Sequence, residues 1–363
     1  DYPWWNTLYI QLENLKHRLT VLWTTVQHLI DMFNTEEDME IDSFLSELLS
    51  FDRELSSMLE GVTLVMDIKN NNRVTWLERS GTISVKTSPV DVKEVLQEKI
   101  FSRLDSTILT SATMTVASSF NHFLQQVGLP ATTRSIQVES PFDYDNQMQF
   151  FVVKDLPIQA EESCVQQIAE FIAEVTTIMG GRTLVLFTSN KLLNEIYQEL
   201  NSKINDFQVL GQGIDGNRSV VLEQFLRNSN SVLLGANSFW EGIDIQGQAL
   251  SCVILVKLPF WPPSMPLIEA RSELLELQGI NSFREFLLPE AVIRFKQGFG
   301  RLIRSRVDKG VVILLDSRVI IKSYGKVFLS SVPVRTHIRG DRSQVLRNLN
   351  SWIENEYKQK ELS

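Results

Sequence analysis

Two arginines near the C-terminus have the chemistry of an anion-binding site. Arg301 and Arg304 stand three residues apart in the segment QGFGRLIR, which begins at Gln297. This spacing predicts that both side chains share one face of a helix end, and each guanidinium is a permanent cation that matches phosphate oxygens. Gly298 and Gly300 allow a ligand or a second backbone to approach closely. Two interpretations stand side by side: an arginine-finger clamp for phosphoryl transfer, or a basic helix end that only offsets its own dipole.

A second unusual segment, GANSFWEGID, follows an apolar strand candidate. It combines glycines with two acids, Glu241 and Asp244, and with two adjacent aromatic residues. This density of special residues favours a functional loop over simple packing. The aromatic pair, Phe239 and Trp240, has the pattern of exposed residues.

Two shorter polar segments also follow apolar strand candidates and carry adjacent hydroxyl groups. They are Thr188, Ser189 and Asn190 after one strand, and Ser111, Ala112 and Thr113 after another. The first offers hydroxyl and amide groups that suit a nucleic-acid phosphate backbone. Either segment alone is a weak signal, because serine and threonine commonly cap helices.

Two further segments resemble parts of nucleotide-binding sites, a phosphate-binding loop and a magnesium-binding acid, but each departs from the pattern. GTISVKT resembles a phosphate-binding loop through Gly81, Lys86 and Thr87, but such a loop requires a glycine where Val85 stands. We therefore expect a strand there. Asp316 ends the apolar run VVILLDS as a magnesium-binding acid might, yet no phosphate-binding loop precedes it, so we expect a structural role.

The elements that must position these residues begin with a helical hairpin. Between residues 7 and 33, apolar side chains recur at spacings of four and three, which is typical of the apolar seam of a long helix. A second such pattern runs from Ile41 to Leu59, with Asn34 or Thr35 as a plausible helix cap. Two helices joined by a short link predict an antiparallel hairpin.

The periodicity changes from about residue 63. TLVMDI (63–68), RVTWLE (73–78) and TISVKT (82–87) are predicted to be short strands. A helix is expected over 91–103, then the buried strand STIL (106–109). Another helix (117–127) is expected to end near Gly128. The polar stretch 139–147 marks a predicted domain boundary.

Beyond that boundary, short apolar runs alternate with helical segments. The predicted strands are 149–153, 183–187, 207–210, 231–235, 252–256 and 311–315. This alternation predicts a parallel sheet covered by helices on both faces. Ligands of such sheets bind at the carboxyl ends of the strands, which is where most of the unusual segments lie.

The composition of the chain is that of a globular protein, with 43% hydrophobic and 22% charged residues. No apolar run reaches membrane-spanning length, and the first residues do not resemble a signal peptide. Cys164 and Cys252 are too few for a disulfide framework or a four-cysteine metal site, and the four histidines lack metal-ligand spacing. We expect no metal ligands in this chain, no membrane partner, and a cytoplasmic location.

Charge is unevenly distributed along the chain. The formal net charge is −9, yet residues 251–363 hold 18 Lys and Arg against 11 Asp and Glu, an excess of seven positive charges. Such segregation fits a protein with one basic working face. Chance segregation between domains is the alternative.

The order of these segments resembles that of superfamily two helicases of the DinG/XPD family. SAT (111–113), TSN (188–190), SFWEGID (238–244) and QGFGRLIR (297–304) are similar to motifs III, IV, V and VI. The family's last motif has the pattern Q-x-x-G-R-x-I-R, which is matched by Gln297, Gly300, Arg301, Ile303 and Arg304. The segment PFWPPSMP (259–266) resembles the proline-rich loop that follows motif V in that family.

The resemblance implies an α/β fold, with a RecA-like parallel sheet carrying helices on both faces, preceded by a long α-helical hairpin. It also implies three domains. Residues 1–62 would be the downstream part of an arch-like domain, residues 63–138 a remnant of the first RecA-like motor domain, and residues 139–363 the second RecA-like motor domain. The chain is thus expected to begin inside the arch.

The resemblance carries the family's nucleotide roles to matching positions. Arg304, Arg301 and Gln297 would be catalytic, with Arg304 the preferred finger for the γ-phosphate. The second-lobe side of the ATP site would include Gly300, Asp244, Glu241 and Gly242. Gln297 and Asp244 would position water, ribose or the arginines, and Glu241 would pair with an arginine across the contact between motifs V and VI.

The resemblance likewise implies a nucleic-acid track and a coupling segment. DNA contacts would come from Thr188, Ser189, Asn190, Ser238 and Trp240. Trp240 would either stack on a nucleobase or pack in the core. Nucleotide state would be coupled to lobe movement by Ser111, Ala112 and Thr113.

The chain departs from the family pattern in two places. It contains neither the G-x-x-x-x-G-K-[ST] phosphate loop nor the DExH motif, which hold the phosphates and the magnesium ion. The resemblance therefore implies a full-length ATP-dependent 5′→3′ DNA helicase that uses ATP with Mg²⁺, while this chain alone would not be an ATPase. Its partners would be single-stranded DNA, ATP and a missing N-terminal motor lobe. The iron–sulfur cluster of some family members is not supported by this chain.

Two alternatives stay open. The chain could belong to a DNA-binding or regulatory module without a motor, which predicts DNA affinity that needs no first lobe. It could also be the helicase-like part of a DinG-type exonuclease. A phosphate loop and a DExH box upstream would favour the helicase.

Overall fold

The computed structural model describes residues 3–33, 39–67, 70, 72–157, 162–241, 245 and 249–361. The chain forms two compact units. The hairpin unit comprises Asp1–Val92 with Ser264–Glu273, and the sheet unit comprises Lys93–Pro263 with Leu274–Ser363. The three predicted domains, 1–62, 63–138 and 139–363, stay a prediction.

The hairpin unit is built on the two long helices that the apolar repeats predict. Its elements are α1 (Pro3–Phe33), α2 (Met39–Met66), β1 (Arg73–Ser80) and β2 (Thr82–Pro89). Val26 and Ile30 of α1 pack with Leu48 and Leu55 of α2 in a small buried core. The predicted caps Asn34 and Thr35 lie outside the described residues.

The predicted strand TLVMDI is wrong, because α2 continues through Met66. Val65 is 8% exposed and extends the buried side of the helix by nearly three turns beyond Leu55. The next two strands are confirmed, since β1 and β2 pair in an antiparallel ribbon. GTISVKT is therefore a strand, as expected, and Gly81 closes its turn with a φ of +83°.

The sheet unit contains a seven-stranded, all-parallel sheet, which confirms the predicted fold class. The strands are β3 (Met148–Val153), β4 (Thr183–Phe187), β5 (Gln208–Gly211), β6 (Ser231–Ala236), β7 (Cys252–Leu255), β8 (Gly310–Leu314) and β9 (Ile338–Gly340). Their order across the sheet is β5-β6-β4-β7-β8-β3-β9. The six strands from β3 to β8 were predicted; β9 has only three residues and no clear apolar pattern.

Helices cover both faces of this sheet. The remaining helices of the chain are α3 (Lys93–Leu96), α4 (Asn121–Val127), α5 (Tyr144–Gln147), α6 (Glu162–Met179), α7 (Asn190–Lys203), α8 (Arg218–Arg227), α9 (Pro266–Leu277), α10 (Leu288–Phe299), α11 (Arg318–Ile321), α12 (Gly325–Ser331) and α13 (Arg342–Glu361). Most of α9 belongs to the hairpin unit. Alternate residues of β3 enter opposite cores. Phe150 packs in one core with side chains of α10, and Phe151 packs in the other with side chains of α6.

The predicted buried strand STIL is wrong. Residues 106–110 form no strand, and Ile108 is 91% exposed. No strand of the described part of the chain pairs with this segment, so it gains neither ladder hydrogen bonds nor cover. The helix predicted over 91–103 is α3 followed by a π-helical turn (Gln97–Phe101). The next helix ends as expected at Gly128, whose φ is +75°.

Cys164 and Cys252 are buried and not joined in a disulfide, and burial raises the pKa of the Cys252 thiol. Within the described ranges, no cluster of three or more His, Cys, Asp or Glu could hold a metal ion. None of the helices described is both long and apolar enough to span a membrane.

Candidate functional site

The carboxyl ends of the central strands bring the predicted segments to one edge of the sheet. β4 and β6 are neighbours with Phe187 opposite Ala236, and β4 pairs on its other side with β7. The TSN segment, the ANSFWE segment and the loop after β7 therefore leave the sheet side by side. This confirms the expectation that the unusual residues gather at the carboxyl edge.

The TSN segment begins helix α7. Thr188 and Ser189 are half-buried and Asn190 is exposed. The Ser189 hydroxyl accepts a hydrogen bond from the Leu192 N–H at 3.4 Å, so this serine is the helix N-cap. The positive end of the dipole of α7 thus lies at the same edge as these hydroxyl groups.

Ser238 is held by a glutamine that sequence reasoning missed. Gln212 Nε2 donates to Ser238 Oγ at 2.9 Å, and Gln212 Oε1 accepts from the Ala236 N–H at 2.9 Å. Gln212 follows β5 and stands between two glycines, a setting at a strand end that could have marked it. It fixes both the backbone and the hydroxyl of the turn after β6.

Trp240 is not available for stacking on a nucleobase, and that prediction is wrong. Its side chain is 0% exposed, and its Nε1–H donates to the Phe187 carbonyl at 2.7 Å. The packed alternative holds because Gly298 lies against the ring. A Cβ added at Gly298 would come within 2.8 Å of the Trp240 ring. The predicted close approach at a glycine of QGFGRLIR is therefore made by Trp240.

The acids of the ANSFWEGID segment are only partly described. Glu241 is exposed, whereas Gly242 and Asp244 lie outside the described residues. Burial lowers the pKa of Arg294, and the carboxylates of Glu241 and Glu290 partly offset this effect. Glu241 thus acts electrostatically on Arg294, an arginine of α10.

The predicted shared face of Arg301 and Arg304 is wrong. Helix α10 ends at Phe299 and Gly300 caps it, so both arginines lie beyond the helix. Arg301 turns inward: it is 7% exposed, and its Nη2 donates to the Trp240 carbonyl at 2.6 Å. Arg304 is exposed. The segments similar to motifs V and VI therefore meet through Arg301 and Trp240.

The turn that carries Arg304 is fixed by residues that sequence reasoning missed. Asp308 Oδ2 accepts hydrogen bonds from the backbone N–H groups of Arg304 at 2.8 Å and Ser305 at 2.7 Å. Buried Gln147 donates from Nε2 to the carbonyls of Ser305 and Asp308, each at 2.9 Å. An aspartate in a turn that precedes a strand is a common backbone acceptor, and this was the available signal.

Gln297 and Gly300 complete the end of α10. Gln297 is half-buried, and its Oε1 is buried and accepts no hydrogen bond from the described residues. Gly300 is exposed, and a Cβ there would lie 3.2 Å from the Lys296 carbonyl. The helix end thus presents a buried acceptor close in sequence to the exposed Arg304.

The SAT segment forms a small hydrogen-bonded turn. Ser111 Oγ accepts from the Thr113 N–H at 3.2 Å and lies 3.4 Å from Thr113 Oγ1. Ser111 and Ala112 are exposed, and Thr113 is half-buried. The two hydroxyl groups therefore stand together at the surface.

Residues just after the SAT turn contact α10 directly. Lys296 Nζ donates to the Thr115 carbonyl at 2.8 Å, and burial lowers the pKa of this lysine. His122 Nε2 lies 3.0 Å from Glu290 Oε1, which adds a second contact to the same helix. The segment similar to motif III is thus attached to the helix that leads to Arg304.

The loop after β7 is anchored by two side chains. Asp316, 2% exposed, accepts from the Leu258 N–H at 2.9 Å and pairs with Arg318. This confirms the predicted structural role of Asp316. Arg294 Nη1 donates to the Pro259 carbonyl at 3.1 Å from the opposite side.

The chain is similar to known helicases in sequence and in fold. Residues 172–335 match the family model of the helicase C-terminal domain. The 3'-5' exonuclease DinG of Bacillus subtilis is 38% identical over 276 residues, which cover 73% of this chain and 30% of the relative. The ATP-dependent DNA helicase YoaA of Haemophilus influenzae is 37% identical over 275 residues, which cover 76% of this chain and 42% of the relative. The chain thus spans less than half the length of these curated relatives.

A solved XPD helicase structure has the same fold. It aligns with a TM-score of 0.57 at 18% identity, covering 86% of this chain and 55% of the XPD chain. The parallel sheet is therefore RecA-like, as expected. The ordered segments, the matched domain and the shared fold lead to one conclusion: this chain belongs to the DinG/XPD family of superfamily two helicases, of which it carries the C-terminal portion.

Proposed function

We propose that this chain is the C-terminal part of an ATP-dependent 5′→3′ DNA helicase. It supplies the second lobe's side of the ATP site and half of the single-stranded DNA track. The observation that carries the proposal is the exposed Arg304, presented on a turn whose backbone is fixed by Asp308 beside the end of α10.

Arg304 is the arginine finger in this proposal. The two hydrogen bonds to Asp308 hold the backbone in place before ATP arrives, which reduces the entropy lost when the guanidinium meets a phosphate. A finger of this kind contributes on the order of 10³–10⁵ in rate. Arg301 has a supporting role, because its bond to the Trp240 carbonyl joins the finger turn to the ANSFWE segment.

ATP with Mg²⁺ is the substrate, and the groups that hold its β- and γ-phosphates belong to an N-terminal motor lobe. On the side formed by this chain, the buried Oε1 of Gln297 fits a donor such as water or a ribose hydroxyl. Gly300 and Glu241 belong to the same side in this proposal, and the roles expected of Gly242 and Asp244, which lie outside the described residues, stay a prediction.

Single-stranded DNA follows the carboxyl edge of the sheet. Thr188, Ser189, Asn190 and Ser238 contact phosphates there, with the N-terminus of α7 adding backbone N–H groups and a positive dipole end. Trp240 has no part in this track, because its ring is fully buried.

Exposed apolar residues support the proposed missing lobe. Ile108 is 91% exposed, Ile136 69% and Val138 83%, all within the segment predicted to be a remnant of the first motor domain. Concentrations of exposed apolar side chains mark contact surfaces. In the full-length protein these residues pack in the first lobe, and Ser111, Ala112 and Thr113 couple that lobe to α10 through the adjoining Thr115–Lys296 contact.

A nuclease is the second candidate for the full-length protein. It is favoured by one observation, since the Bacillus subtilis relative is named a 3'-5' exonuclease. In that case this chain supplies the DNA track of a nuclease, and a full-length protein degrades single-stranded DNA without added ATP.

The test uses the 363-residue chain itself. We expect it to bind a labelled single-stranded oligonucleotide in an anisotropy titration, with affinity that falls as salt rises because phosphates are neutralised. We also expect no ATP hydrolysis above the buffer control, with or without DNA. Hydrolysis by this chain alone, or no DNA binding even at low salt, would overturn the proposal.

A further inference from the structure

We infer that Trp261 is a nucleobase-stacking platform whose indole is positioned by the buried guanidinium of Arg294. The inference rests on the proposed function, because it requires single-stranded DNA at the carboxyl edge of the sheet. It gives the track a base-contacting residue where Trp240, the residue expected from the sequence, is buried.

The loop that carries Trp261 is rigidly held. Asp316 accepts from the Leu258 N–H at 2.9 Å, and Arg294 donates to the Pro259 carbonyl at 3.1 Å. Pro262 follows Trp261 directly, which confines the tryptophan backbone to extended conformations. The indole is therefore presented from a fixed backbone, so little entropy is lost when a base stacks on it.

Phe260 adds a second anchor to the same loop. Its ring stacks on Phe283 with centroids 5.9 Å apart and planes 21° apart, and it meets Phe328 edge to face at 5.7 Å. The Arg318 guanidinium lies 5.9 Å from the Phe260 centroid. Phe260 thus anchors the loop through its ring contacts, and both Phe260 and its neighbour Trp261 are half-buried.

Arg294 covers one face of the Trp261 ring. The guanidinium carbon lies 3.7 Å from the Trp261 centroid and 5.7 Å from that of Trp240. Arg294 is 3% exposed, and its Nε and Nη2 make no hydrogen bond to any described residue. A desolvated cation stacked on an indole is a strong interaction, and it fixes the plane of the ring. Trp261 remains partly exposed to solvent despite this cover.

The loop also lies beside the predicted phosphate contacts. The Val256 N–H donates to the Leu186 carbonyl at 3.1 Å, so the chain after β7 leaves the sheet next to the chain after β4. Thr188 and Ser189 follow two and three residues beyond Leu186. A strand whose phosphates meet these hydroxyl groups passes the loop that bears Trp261, and its bases can stack there without sequence preference.

The test compares two oligonucleotides of equal length in anisotropy titrations of the full 363-residue chain. One carries ordinary bases and the other carries abasic sites throughout its centre. Stacking on a protein aromatic strengthens binding on the order of 10-fold per base. We expect the wild-type chain to bind the ordinary strand about 10-fold more tightly than the abasic strand.

Two variants remove the indole of Trp261, and a third serves as the control. Trp261→Ala and Trp261→Leu are expected to reduce the preference for the ordinary strand to near unity while leaving abasic binding unchanged. The leucine variant retains apolar volume over Arg294 in case the alanine variant fails to fold. Trp352→Ala removes a tryptophan from α13, on the opposite core, and is expected to keep the preference.

The possible outcomes distinguish failure of the Trp261 stacking platform from failure of the proposed DNA track. A wild-type chain that binds both strands equally, or a folded Trp261→Leu variant that keeps the wild-type preference, would overturn the stacking platform while leaving the DNA track intact. A wild-type chain that binds neither strand would overturn the proposed function and this inference with it.

Discussion

The buried indole of Trp240 joins three segments of the candidate site. Its Nε1–H donates to Phe187 at the end of β4, and its carbonyl accepts from Arg301. Its ring occupies the space left by the missing side chain of Gly298. A single residue thus ties the ends of β4, β6 and α10 together, so its contribution is to stability.

Substitution of Trp240 is expected to destabilise the fold. Trp240→Ala removes a large buried side chain and leaves the Phe187 carbonyl without its donor, at a cost of about 3–5 kcal/mol of unfolding free energy. Urea unfolding followed by circular dichroism measures this loss. A Trp240→Ala chain that unfolds like the wild type yet fails to bind DNA would instead favour a direct DNA contact.

His337 makes stability depend on pH. Burial lowers the pKa of His337 from 6.5, and the charge of Arg339 lowers it further. Arg339 Nε donates to His337 Nε2 at 2.8 Å, which requires a neutral ring nitrogen. Since the folded pKa lies below the unfolded value, the unfolded chain binds the proton first as pH falls. The stabilising effect is therefore complete above pH 6.5 and is lost as pH falls below it.

The measurement is urea unfolding of the wild type and His337→Gln at pH 7.5 and pH 5.5, values about one unit either side of the ordinary histidine pKa. We expect the wild type to lose more stability than the variant between the two conditions. Equal losses would show that His337 does not cause the acid sensitivity.

At the scale of elements, α10 is the part on which the site depends. Its N-terminal half contacts His122 through Glu290, and its C-terminal half bears Lys296, Gln297 and Gly298. It then ends at Gly300, so the chain turns before Arg304. A displacement of this helix would move the finger turn and the ANSFWE segment together.

Gly298→Ala tests the packing of α10. The new Cβ would lie 2.8 Å from the Trp240 ring, which is held by its bond to Phe187, so we expect a loss of about 1–3 kcal/mol in unfolding free energy. Gly61→Ala is the matched control in α2, where a Cβ meets nothing within 4 Å, and it is expected to stabilise by roughly 0.5–1 kcal/mol. Equal urea midpoints for the two variants would contradict the close packing.

Asp308→Ala tests the turn that carries Arg304. Loss of the carboxylate frees two backbone N–H groups, so the guanidinium is no longer held in one position. In the full-length protein we expect a lower kcat for DNA-stimulated ATP hydrolysis with little change in DNA affinity. The reduction should be smaller than that caused by removal of Arg304 itself. An unchanged kcat would show that Asp308 does not position the finger.

The sequence predicted the secondary-structure elements well where a single physical signal, the apolar composition of a segment, dominated. The strands β3 to β8 are short, mostly apolar runs that are largely buried, and such runs between helical segments have few alternatives. STIL has the same composition, but no strand of the described chain pairs with it, and composition does not reveal the absence of a partner. TLVMDI failed because the apolar stripe of α2 continues to Val65.

The roles of individual residues were harder to predict, because they depend on contacts that form only in the folded chain. Spacing placed Arg301 and Arg304 on one helical face, because Gly300 was interpreted as a site of close approach and not as the residue that ends the helix. Burial then separated the two side chains. Asp308, Gln147 and Gln212 were missed, since their partners are backbone groups brought close only by the fold.

At the scale of the whole molecule, the chain carries the C-terminal portion of a DinG/XPD-type helicase. Its sheet unit is a RecA-like domain that matches the helicase C-terminal domain, and its SAT segment is followed by contacts to α10. Ile108 and Val138 leave apolar surface that suits a missing lobe. The proposal therefore assigns ATP hydrolysis to the full-length protein and DNA contact to this chain.

The most direct test of the account is the rate of DNA-stimulated ATP hydrolysis by the full-length protein with Arg304→Ala. The neighbouring exposed Arg306→Ala serves as the control for loss of positive charge. The account predicts that the Arg304 variant loses on the order of 10³-fold or more in rate while it still binds single-stranded DNA. The Arg306 variant is predicted to hydrolyse ATP nearly as fast as the wild type. DNA-stimulated hydrolysis that survives in the Arg304 variant would contradict the account.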